Sequence, residues 1–466
     1  MSRGLETPPV LASIGTVLID IFEPQSAASL GTSSAVSSWA ASSSGRTDSA
    51  PLGCSSTGEL HPSMPCPTSS LPLPLLASPS ALVSFSDLHP KVPSSTPLIS
   101  SSLPTSASFS SSPSEISPSP RKAPQIEAVG EIPLGGRMVI GGGAMYAIVG
   151  ARVWLPPIAL RTIIDRSPGR RRVEGEAQGG VTAAPPGSLP ARENPDEFDD
   201  LPRELEEELL SYGPNMWVFN RVPGGRVPRA RIGYNGAVRS YAHIIKPVPR
   251  TALDLAHGPL FGAEYLHVSP PFSSSDLLNL LSDLPSSWNP KVVFEPAPSS
   301  CHPAGRRAFE AAAQRVHALS PNHEELLSLY DRPVLEEEGE IRKVVEEIVA
   351  YLLGLGVPVV AVRCGASGAC IGTVEGLRWV PSFFEGEQHR VRDVTGAGNA
   401  FIGGYIAGLR LTGDPYTAAL YGMVSASFVI EQLGPPSLSV STDGELWNGD
   451  SAQHRLAALS ERVPWA

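Results

Sequence analysis

The sequence contains the segment Asp393-Val-Thr-Gly-Ala-Gly-Asn-Ala-Phe401, which runs directly into an apolar segment of small residues that ends at Leu409. Glycine lets a backbone approach a ligand closely and adopt positive φ. The N–H groups in the first turn of a helix lack partners within that helix, and the helix dipole favours an anion there. The segment therefore predicts a phosphate or oxyanion cradle at the start of a buried helix, with Asn399 at its mouth. A glycine-rich turn that caps an ordinary packed helix is the alternative.

Composition excludes several classes of protein. The chain has 466 residues and a formal net charge of −11, whereas a dedicated nucleic-acid binder has a basic face, so we expect no direct nucleic-acid partner. The five cysteines are scattered without a C-x-x-C pair, which is typical of a reducing compartment and speaks against a zinc ribbon. We see no signal peptide and no run of about 18 apolar residues that would span a membrane. The sequence therefore predicts a cytoplasmic protein with no membrane partner.

Two segments differ in composition from the rest of the chain. Residues 25–125 are rich in serine and proline and poor in charge, so they cannot bury enough apolar surface to offset the entropy of ordering them. We interpret them as a disordered insertion, and a segment that is absent from the mature protein is the alternative. Residues 167–199 form a second flexible insertion, whose basic triplet Arg170–Arg172 is interpreted as solvated loop. Residues 9–24 and 126–466 are then predicted to form a single domain.

The remaining segments alternate between strand and helix patterns. Apolar, β-branched runs such as 9–21 and 357–364 indicate buried strands, and apolar residues at helical spacing over 336–353 indicate an amphipathic helix. Such alternation predicts an α/β fold with a mostly parallel sheet covered on both faces. The first of these strands is predicted to end at Asp20, where open α/β sheets place ligand groups. A solvated carboxylate at a strand end is the alternative for Asp20.

Two further patterns concern the glycines and a β-rich region. Residues 216–248 are β-rich, and Asn235-Gly236 between two alternating arms predicts a hairpin.

Gly141 and Gly142 follow a short strand and open a helix, which invites a dinucleotide-binding interpretation. That fingerprint requires a glycine at position 146, where Tyr146 stands, and the sequence contains no G-x-x-x-x-G-K-[ST] phosphate loop. Both of those nucleotide-binding classes are therefore excluded.

With these segments side by side, the chain resembles the pfkB or ribokinase-like family of sugar and nucleoside kinases. Four landmarks occur in that family's order: the strand before Asp20, the pair Gly141-Gly142, the N-x-x-E motif of Asn322 and Glu325, and the signature Asp393–Asn399. The resemblance implies a three-layer α/β/α ribokinase-like sandwich with a mostly parallel sheet and a small β-lid, which we place in residues 216–248. Within the family, the chain is similar to a fungal branch that has GAGN in place of GAGD, one of whose members is implicated in maintaining killer-virus particles.

The resemblance also implies a role for each matching residue. ATP and Mg²⁺ are the implied cofactors, a sugar-like small molecule is the implied substrate, and the lid allows a homodimer. The implied residues are Gly396, Ala397 and Gly398 for the anion hole; Asp20, Gly141, Gly142 and Tyr146 for the substrate; Thr395, Gly365 and Gly368 for the nucleotide; and Asn322 and Glu325 for Mg²⁺ through water. Asp393 stands where some relatives bind a monovalent cation such as K⁺, with local turn capping as the alternative.

Two departures from the family pattern bear on catalysis. Asn399 stands where the family has an aspartate that takes the proton from the attacking hydroxyl, and an amide cannot act as a general base near neutral pH. Loss of a positioned base typically costs about 10²–10⁴-fold in rate. Tyr146 stands where the family usually has a smaller polar contact to the sugar, so it either reshapes the substrate pocket or packs within its helix.

Two functions are compatible with this pattern. The first is an ATP- and Mg²⁺-dependent phosphotransferase that acts on a hydroxyl group, slowed by the missing aspartate, since phosphoryl transfer depends largely on positioning and electrostatics. The second is a non-catalytic relative that retains nucleotide binding for a scaffolding or regulatory role. The sequence does not identify the phosphate acceptor.

Overall fold

The computed structural model of the protein describes residues 8–22, 137–167, 200–221, 225–235, 238–442 and 444–465. The predicted disordered insertion, 25–125, and all of the second insertion except Ser167 lie outside these ranges. The described strands are β1 Leu11–Ile14, β2 Leu18–Phe22, β3 Arg137–Gly141, β4 Leu160–Arg166, β5 Trp217–Arg221, β6 Arg229–Asn235, β7 Val238–Ile245, β8 Tyr265–Val268, β9 Lys291–Phe294, β10 Ala318–Leu319, β11 Val360–Arg363, β12 Ala369–Thr373, β13 Gly376–Val380, β14 Leu438–Ser441 and β15 Gly444–Trp447. The described helices are α1 Gly143–Arg152, α2 Arg203–Ser211, α3 Ala252–Ala256, α4 Ser274–Asp283, α5 Arg306–Ala313, α6 His323–Leu329, α7 Glu338–Gly354, α8 Ala397–Thr412, α9 Pro415–Val429 and α10 Ala452–Ser460.

A large, mostly parallel sheet forms the middle layer of the fold. Within the described ranges its strand order is β13-β12-β11-β10-β9-β8-β1-β4-β5. Neighbouring strands from β11 to β5 run parallel, whereas β12 and β13 add an antiparallel edge. Strands β1 and β8 are buried along their whole length, as expected for parallel strands that are covered on both faces.

Helices cover the sheet on both sides because successive strand residues point to opposite faces. Leu11 belongs to one buried apolar cluster, which includes residues of α1, α8 and α9. Its neighbour Ala12 belongs to a second cluster, which includes residues of α4, α5, α6 and α7. The architecture is therefore a three-layer α/β/α sandwich, and the predicted fold class is confirmed.

A smaller sheet with strand order β3-β2-β6-β7 accompanies the sandwich. Strands β6 and β7 pair antiparallel, with Asn235 opposite Val238, so the predicted hairpin is confirmed, but Asn235 belongs to β6 rather than to the turn. Residues 236–237 lie outside the described residues. Within the described residues of the region predicted as the lid, these two strands are the ones that belong to the small sheet. Strand β5 of the same region pairs with β4 at the edge of the main sheet instead.

The prediction of one strand over residues 9–21 is wrong. Strand β1 belongs to the main sheet, and β2 pairs with β3 and β6 in the small sheet. Asp20 therefore lies in the middle of β2 rather than at a strand end. Both halves of the run are apolar and buried, so the residue pattern is continuous across the change of sheet. Gly15 lies at this change, and a Cβ atom there would overlap Ser269.

Helix α8 packs closely against α1 and α9, and these contacts fix its position. A Cβ atom on Gly403 would overlap the backbone of Ala147 in α1, and one on Gly408 would overlap Ala418 in α9. Contact between helix backbones at this distance tolerates only glycine, so the small-residue pattern of α8 reflects its neighbours. The packing places the first turn of α8 beside the carboxyl ends of the parallel strands. Among the described residues, no helix has the length and apolarity that a membrane span requires.

Candidate functional site

A cavity of about 670 Å³ lies at the carboxyl ends of the parallel strands. In open α/β sheets this edge is where ligands bind. Residues of the small sheet and the first turns of α1, α6 and α8 complete its wall. The residues that line it include Asp20, Gly142, Tyr146, Tyr241, His243, Glu295, Asn322, Glu325, Arg363, Thr395, Gly396 and Asn399.

The cavity brings most of the sequence-predicted site residues together. Those that line it are Asp20, Gly142, Tyr146, Asn322, Glu325, Thr395, Gly396 and Asn399. Those predicted for the site that do not line it are Gly141, Ala397, Gly398, Gly365, Gly368 and Asp393. Gly141 contributes indirectly, because a Cβ atom there would overlap the carboxylate of Asp20. Asp20 itself is almost fully buried.

The first turn of α8 opens towards the cavity without a side-chain cap from the described residues. Gly396 precedes the helix with φ of 83°, a left-handed conformation that favours glycine. Among the described residues, the N–H groups of Gly398 and Asn399 have no protein acceptor. Since Gly396 and Asn399 line the cavity, this helix start can accept an anion.

Tyr146 packs against this turn from α1. It is 1% exposed, and a Cβ atom on Gly396 would overlap its ring. Burial raises the pKa of its phenol well above the usual value, and the nearby carboxylates of Asp20 and Asp393 raise it further. Tyr146 therefore stays neutral, and it both packs in the fold and forms part of the cavity wall.

Asp393 closes a local turn just before α8. Its Oδ1 atom accepts hydrogen bonds from the backbone N–H of Thr395 at 3.0 Å and from the Thr395 hydroxyl at 2.9 Å. Local capping is thus directly visible for this pair. A monovalent-cation role for Asp393 stays a prediction.

Asn322 and Glu325 form a capping box at the start of α6. The Asn322 Oδ1 atom accepts from the Glu325 N–H at 2.7 Å, and the Glu325 Oε2 atom accepts from the Asn322 N–H at 2.8 Å. Burial raises the pKa of Glu325 to about 7, against the opposing effect of the Arg363 guanidinium. The pair is therefore a structural cap whose carboxyl group also faces the cavity.

Three groups that were not predicted from the sequence lie next to Asn399: Glu295 contacts it, and Arg363 and His267 contact Glu295. Glu295 Oε2 accepts a hydrogen bond from Asn399 Nδ2 at 2.5 Å, and Glu295 Oε1 lies 2.9 Å from Arg363 Nη1. His267 Nε2 lies 3.6 Å from Glu295 Oε2. Glu295 directly follows β9 and Arg363 ends β11. A charged residue at the end of an apolar strand is the sequence pattern from which both could have been predicted as site residues.

The charge state of Glu295 follows from these contacts. Burial by itself raises the pKa of a carboxyl group, but the cationic Arg363, the nearby His267 ring and the hydrogen bond from Asn399 outweigh burial and lower the pKa of Glu295. Arg363 also lies 3.7 Å from Glu325 and lies so close to α8 that a Cβ atom on Gly398 would overlap it. One guanidinium therefore joins two carboxylates and the anion-accepting helix start.

The residues of the cavity fit a nucleotide phosphate and supply one carboxylate for Mg²⁺. The uncapped start of α8 suits phosphate oxygens. Mg²⁺ in phosphate-binding sites usually keeps several waters and takes only one or two carboxylates, and Glu325 supplies one on the cavity wall. Among the described residues, no group of three acidic, histidine or cysteine side chains could form a complete metal cage, so Mg²⁺ would depend on the phosphates and water.

The chain is similar to several known proteins. Residues 256–442 match the pfkB family carbohydrate kinase model. An uncharacterized protein of Schizosaccharomyces pombe is 25% identical over 347 residues, covering 69% of this chain and 86% of that protein. Protein MAK32 of Saccharomyces cerevisiae is 28% identical over 203 residues, covering 40% of this chain and 54% of that protein. The crystal structure of a putative ribokinase II from E. coli is 17% identical with a TM-score of 0.46, covering 70% of this chain and 90% of that one.

The predicted resemblance to the pfkB family is thus confirmed over residues 256–442, which match that family's model. The two fungal relatives fit the predicted fungal branch. The family match contains Asn322, Glu325 and the segment Asp393–Asn399 but starts after Asp20 and Tyr146. The roles of those two earlier residues therefore rest on their position in the cavity wall.

Proposed function

We propose that the protein transfers the γ-phosphoryl group of ATP, with Mg²⁺, to a hydroxyl group of a sugar-like small molecule. The observation that carries this proposal is the uncapped start of α8, which opens into a cavity that also contains Asp20, Asn322 and Glu325. Phosphoryl transfer needs accurate positioning and stabilisation of charge on the phosphoryl oxygens more than covalent chemistry by the protein. The family match supports the same reaction class.

Each group has a defined task in this proposal. The N–H groups at the uncapped start of α8 hold phosphoryl oxygens, and Arg363 supplies positive charge beside them. Glu325 and Asn322 hold Mg²⁺ through water, and Mg²⁺ supplies neutralisation of the phosphate charge. Asp20, buried beneath Gly141 in the cavity wall, orients hydroxyl groups of the acceptor. Tyr146 limits the size of the acceptor at the same wall.

A non-catalytic, nucleotide-binding function is the second candidate, and one observation favours it. The side chain at the family's base position is an amide that already donates its Nδ2 hydrogen to Glu295. A site of this kind can hold a nucleotide without activating a hydroxyl. Such a protein would act by scaffolding or regulation through its nucleotide-bound state.

Calorimetry and turnover assays separate the two candidates. ATP binding is measured with and without Mg²⁺, and ADP release is measured with a panel of sugars and nucleosides. Mg²⁺-dependent binding with acceptor-stimulated turnover is the expected result. Binding without turnover would favour the non-catalytic candidate, and lack of ATP binding would defeat both.

The cytoplasmic location and the homodimer through the lid stay predictions. Cell fractionation tests the first. Light scattering on the purified protein tests the second, and a monomer at micromolar concentration would contradict it.

A further inference from the structure

Glu295 is a carboxylate in direct contact with the residue at the position where a base is missing. Its Oε2 atom lies 2.5 Å from Asn399 Nδ2, and both residues line the cavity. Its side chain is only 7% exposed. The chain thus keeps a carboxylate at the site, one hydrogen bond away from the amide that replaces the family's aspartate.

We propose that Glu295 is the general base of the phosphotransfer reaction, with Asn399 as the residue that positions it. In the step, the acceptor oxygen forms a bond to the γ-phosphorus while the bond from that phosphorus to the β,γ-bridging oxygen breaks. The hydroxyl proton moves to a carboxylate oxygen of Glu295, and ADP leaves with the bridging oxygen and its electron pair. No oxidant or additional reactant is required. This inference rests on the proposed function.

The surroundings of Glu295 keep it charged and fixed in orientation. Arg363 from β11 binds Oε1 at 2.9 Å, which leaves Oε2 as the oxygen shared by Asn399 from α8 and His267 from β8. His267 in turn contacts the Ser13 hydroxyl through Nδ1 at 2.9 Å. Glu325 from α6 faces the same guanidinium at 3.7 Å. A carboxylate held on three sides has little freedom to turn away from the cavity, which suits a base that must meet a hydroxyl.

A purely structural ion pair is the competing explanation, and the chain offers a matched control for it. Arg166 and Glu206 form another ion pair with similarly buried side chains, and neither residue lines the cavity. Replacing Glu206 by glutamine tests what loss of a buried ion pair does by itself. Replacing Glu295 by glutamine removes the base and keeps the size of the side chain.

The decisive experiment compares full-length wild type, Glu295→Gln, Asn399→Asp, the double variant and Glu206→Gln. Mg-ATP turnover is measured with water as acceptor and with the sugar and nucleoside panel, and ATP affinity is measured by calorimetry. We expect Glu295→Gln to lower kcat by about 10²–10⁴-fold while the Kd for ATP changes by less than about threefold. The kcat of the double variant should be at least about tenfold higher than that of Glu295→Gln alone, because its Asn399→Asp change returns a carboxylate to the site. Glu206→Gln should keep the kcat of the wild type.

The Asn399→Asp variant alone makes a further distinction. It places two carboxylates at hydrogen-bond distance, and such pairs share a proton because both cannot ionise easily. If Glu295 is the base, this variant gains no activity. A large gain in Asn399→Asp alone would show that the wild-type site lacks a base, and it would overturn the assignment of Glu295.

The remaining outcomes separate this inference from the proposed function. Wild-type turnover that persists in Glu295→Gln would overturn the base assignment and leave the phosphotransferase intact. ATP binding without any wild-type turnover would also overturn the assignment and favour the non-catalytic candidate. Failure of the wild type to bind ATP would defeat the proposed function, and the base assignment with it. The loss of the acidic limb of the kcat–pH profile in Glu295→Gln would add support that a structural role does not produce.

Discussion

Helices α6 and α8 both begin at the cavity, yet their first turns are built in opposite ways. At α6, Asn322 and Glu325 satisfy each other's backbone N–H groups, so that turn is closed. At α8, Gly396 provides no side chain, and no side chain of the described residues caps the helix. An orphan N–H group is satisfied by a side chain, by water or by a ligand. The open turn is therefore the one that is suited to phosphate.

The N-x-x-E motif of α6 is a capping box of a type that also occurs at two helices away from the cavity. Helices α3 and α4 begin with the same type of capping box, formed by Thr251 with Asp254 and by Ser273 with Asp276, and neither box lines the cavity. The residue types at this spacing therefore serve capping in their own right. Glu325 differs from the other two acidic residues because it is buried at the cavity wall beside Arg363. Its surroundings, and not the motif itself, support a role with Mg²⁺.

Removal of Arg363 should have the largest effect, because this residue joins the two helix starts. The Arg363→Met variant leaves Glu295 and Glu325 buried without their cation, and such a loss typically costs about 3–5 kcal/mol. Urea denaturation measures the free energy of unfolding. Arg332→Met is the control, since its ion pair with Glu347 is about half exposed and is expected to contribute about 1 kcal/mol or less. Equal effects in the two variants would contradict the central role of Arg363.

Glu325, in the capped first turn of α6, should make the free energy of unfolding decrease as pH rises. Because the pKa of Glu325 is raised from 4.5 to about 7 in the folded protein, the folded state keeps a proton that the unfolded state loses over this range. Its contribution to the free energy of unfolding is therefore intact below about pH 4.5 and decreases as pH rises towards 7. The decrease amounts to at most about 3 kcal/mol for a shift of this size.

Glu325→Gln tests this expectation because glutamine does not titrate. Denaturation at a series of pH values gives the difference in unfolding free energy between the wild type and the variant. We expect that difference to shift in favour of the variant as pH rises from about 4.5 to 7. A difference that is constant with pH would show that Glu325 ionises normally.

A side chain at Gly396, in the uncapped turn before α8, should weaken nucleotide binding. In Gly396→Ala, the added methyl group meets the Tyr146 ring at a position with positive φ, and we expect a loss of about 1–3 kcal/mol in stability together with at least tenfold weaker ATP binding. Gly413→Ala at the other end of α8 is the matched control, since Gly413 has φ of 74° and nothing lies within 4 Å of an added Cβ. Calorimetry on both variants is the measurement, and unchanged ATP affinity in Gly396→Ala would sink the cradle assignment.

Opening the closed turn should have the smallest effect on stability. Asn322→Ala and Ser273→Ala each remove one capping side chain, and each should cost about 1 kcal/mol. Only Asn322→Ala should also reduce the dependence of ATP binding on Mg²⁺, because only this cap lies at the cavity. If both variants bind Mg-ATP like the wild type, the Asn322 cap is structural alone.

Much of the fold and part of the site could be predicted because the relevant patterns are local. The alternation of apolar strands with amphipathic helices requires a sheet covered on both faces. Asn322 and Glu325 meet because they lie three positions apart at a helix start. The glycines around Ala397 similarly predict a helix start that a backbone or ligand can approach.

Other features depended on contacts between distant parts of the chain. Asp20 lies within β2 rather than at the end of a single strand, because the apolar run 9–21 is divided between two sheets. Glu295 and Asn399 are 104 positions apart, and Arg363 reaches Glu295 because β9, β10 and β11 are neighbours in the sheet. Periodicity reports burial of a strand but not the identity of its neighbours.

The sequence by itself therefore determined the α/β class, the pfkB resemblance and the glycine turn with Asn399 at its mouth. Each of these follows from residue types that interact within a few positions of one another. The tertiary structure alone decided that Asn399 meets Glu295, and that Arg363 links this carboxylate to Glu325 and to the start of α8. Those contacts arise from the order of the parallel strands, which gathers the ends of several strands into one cavity.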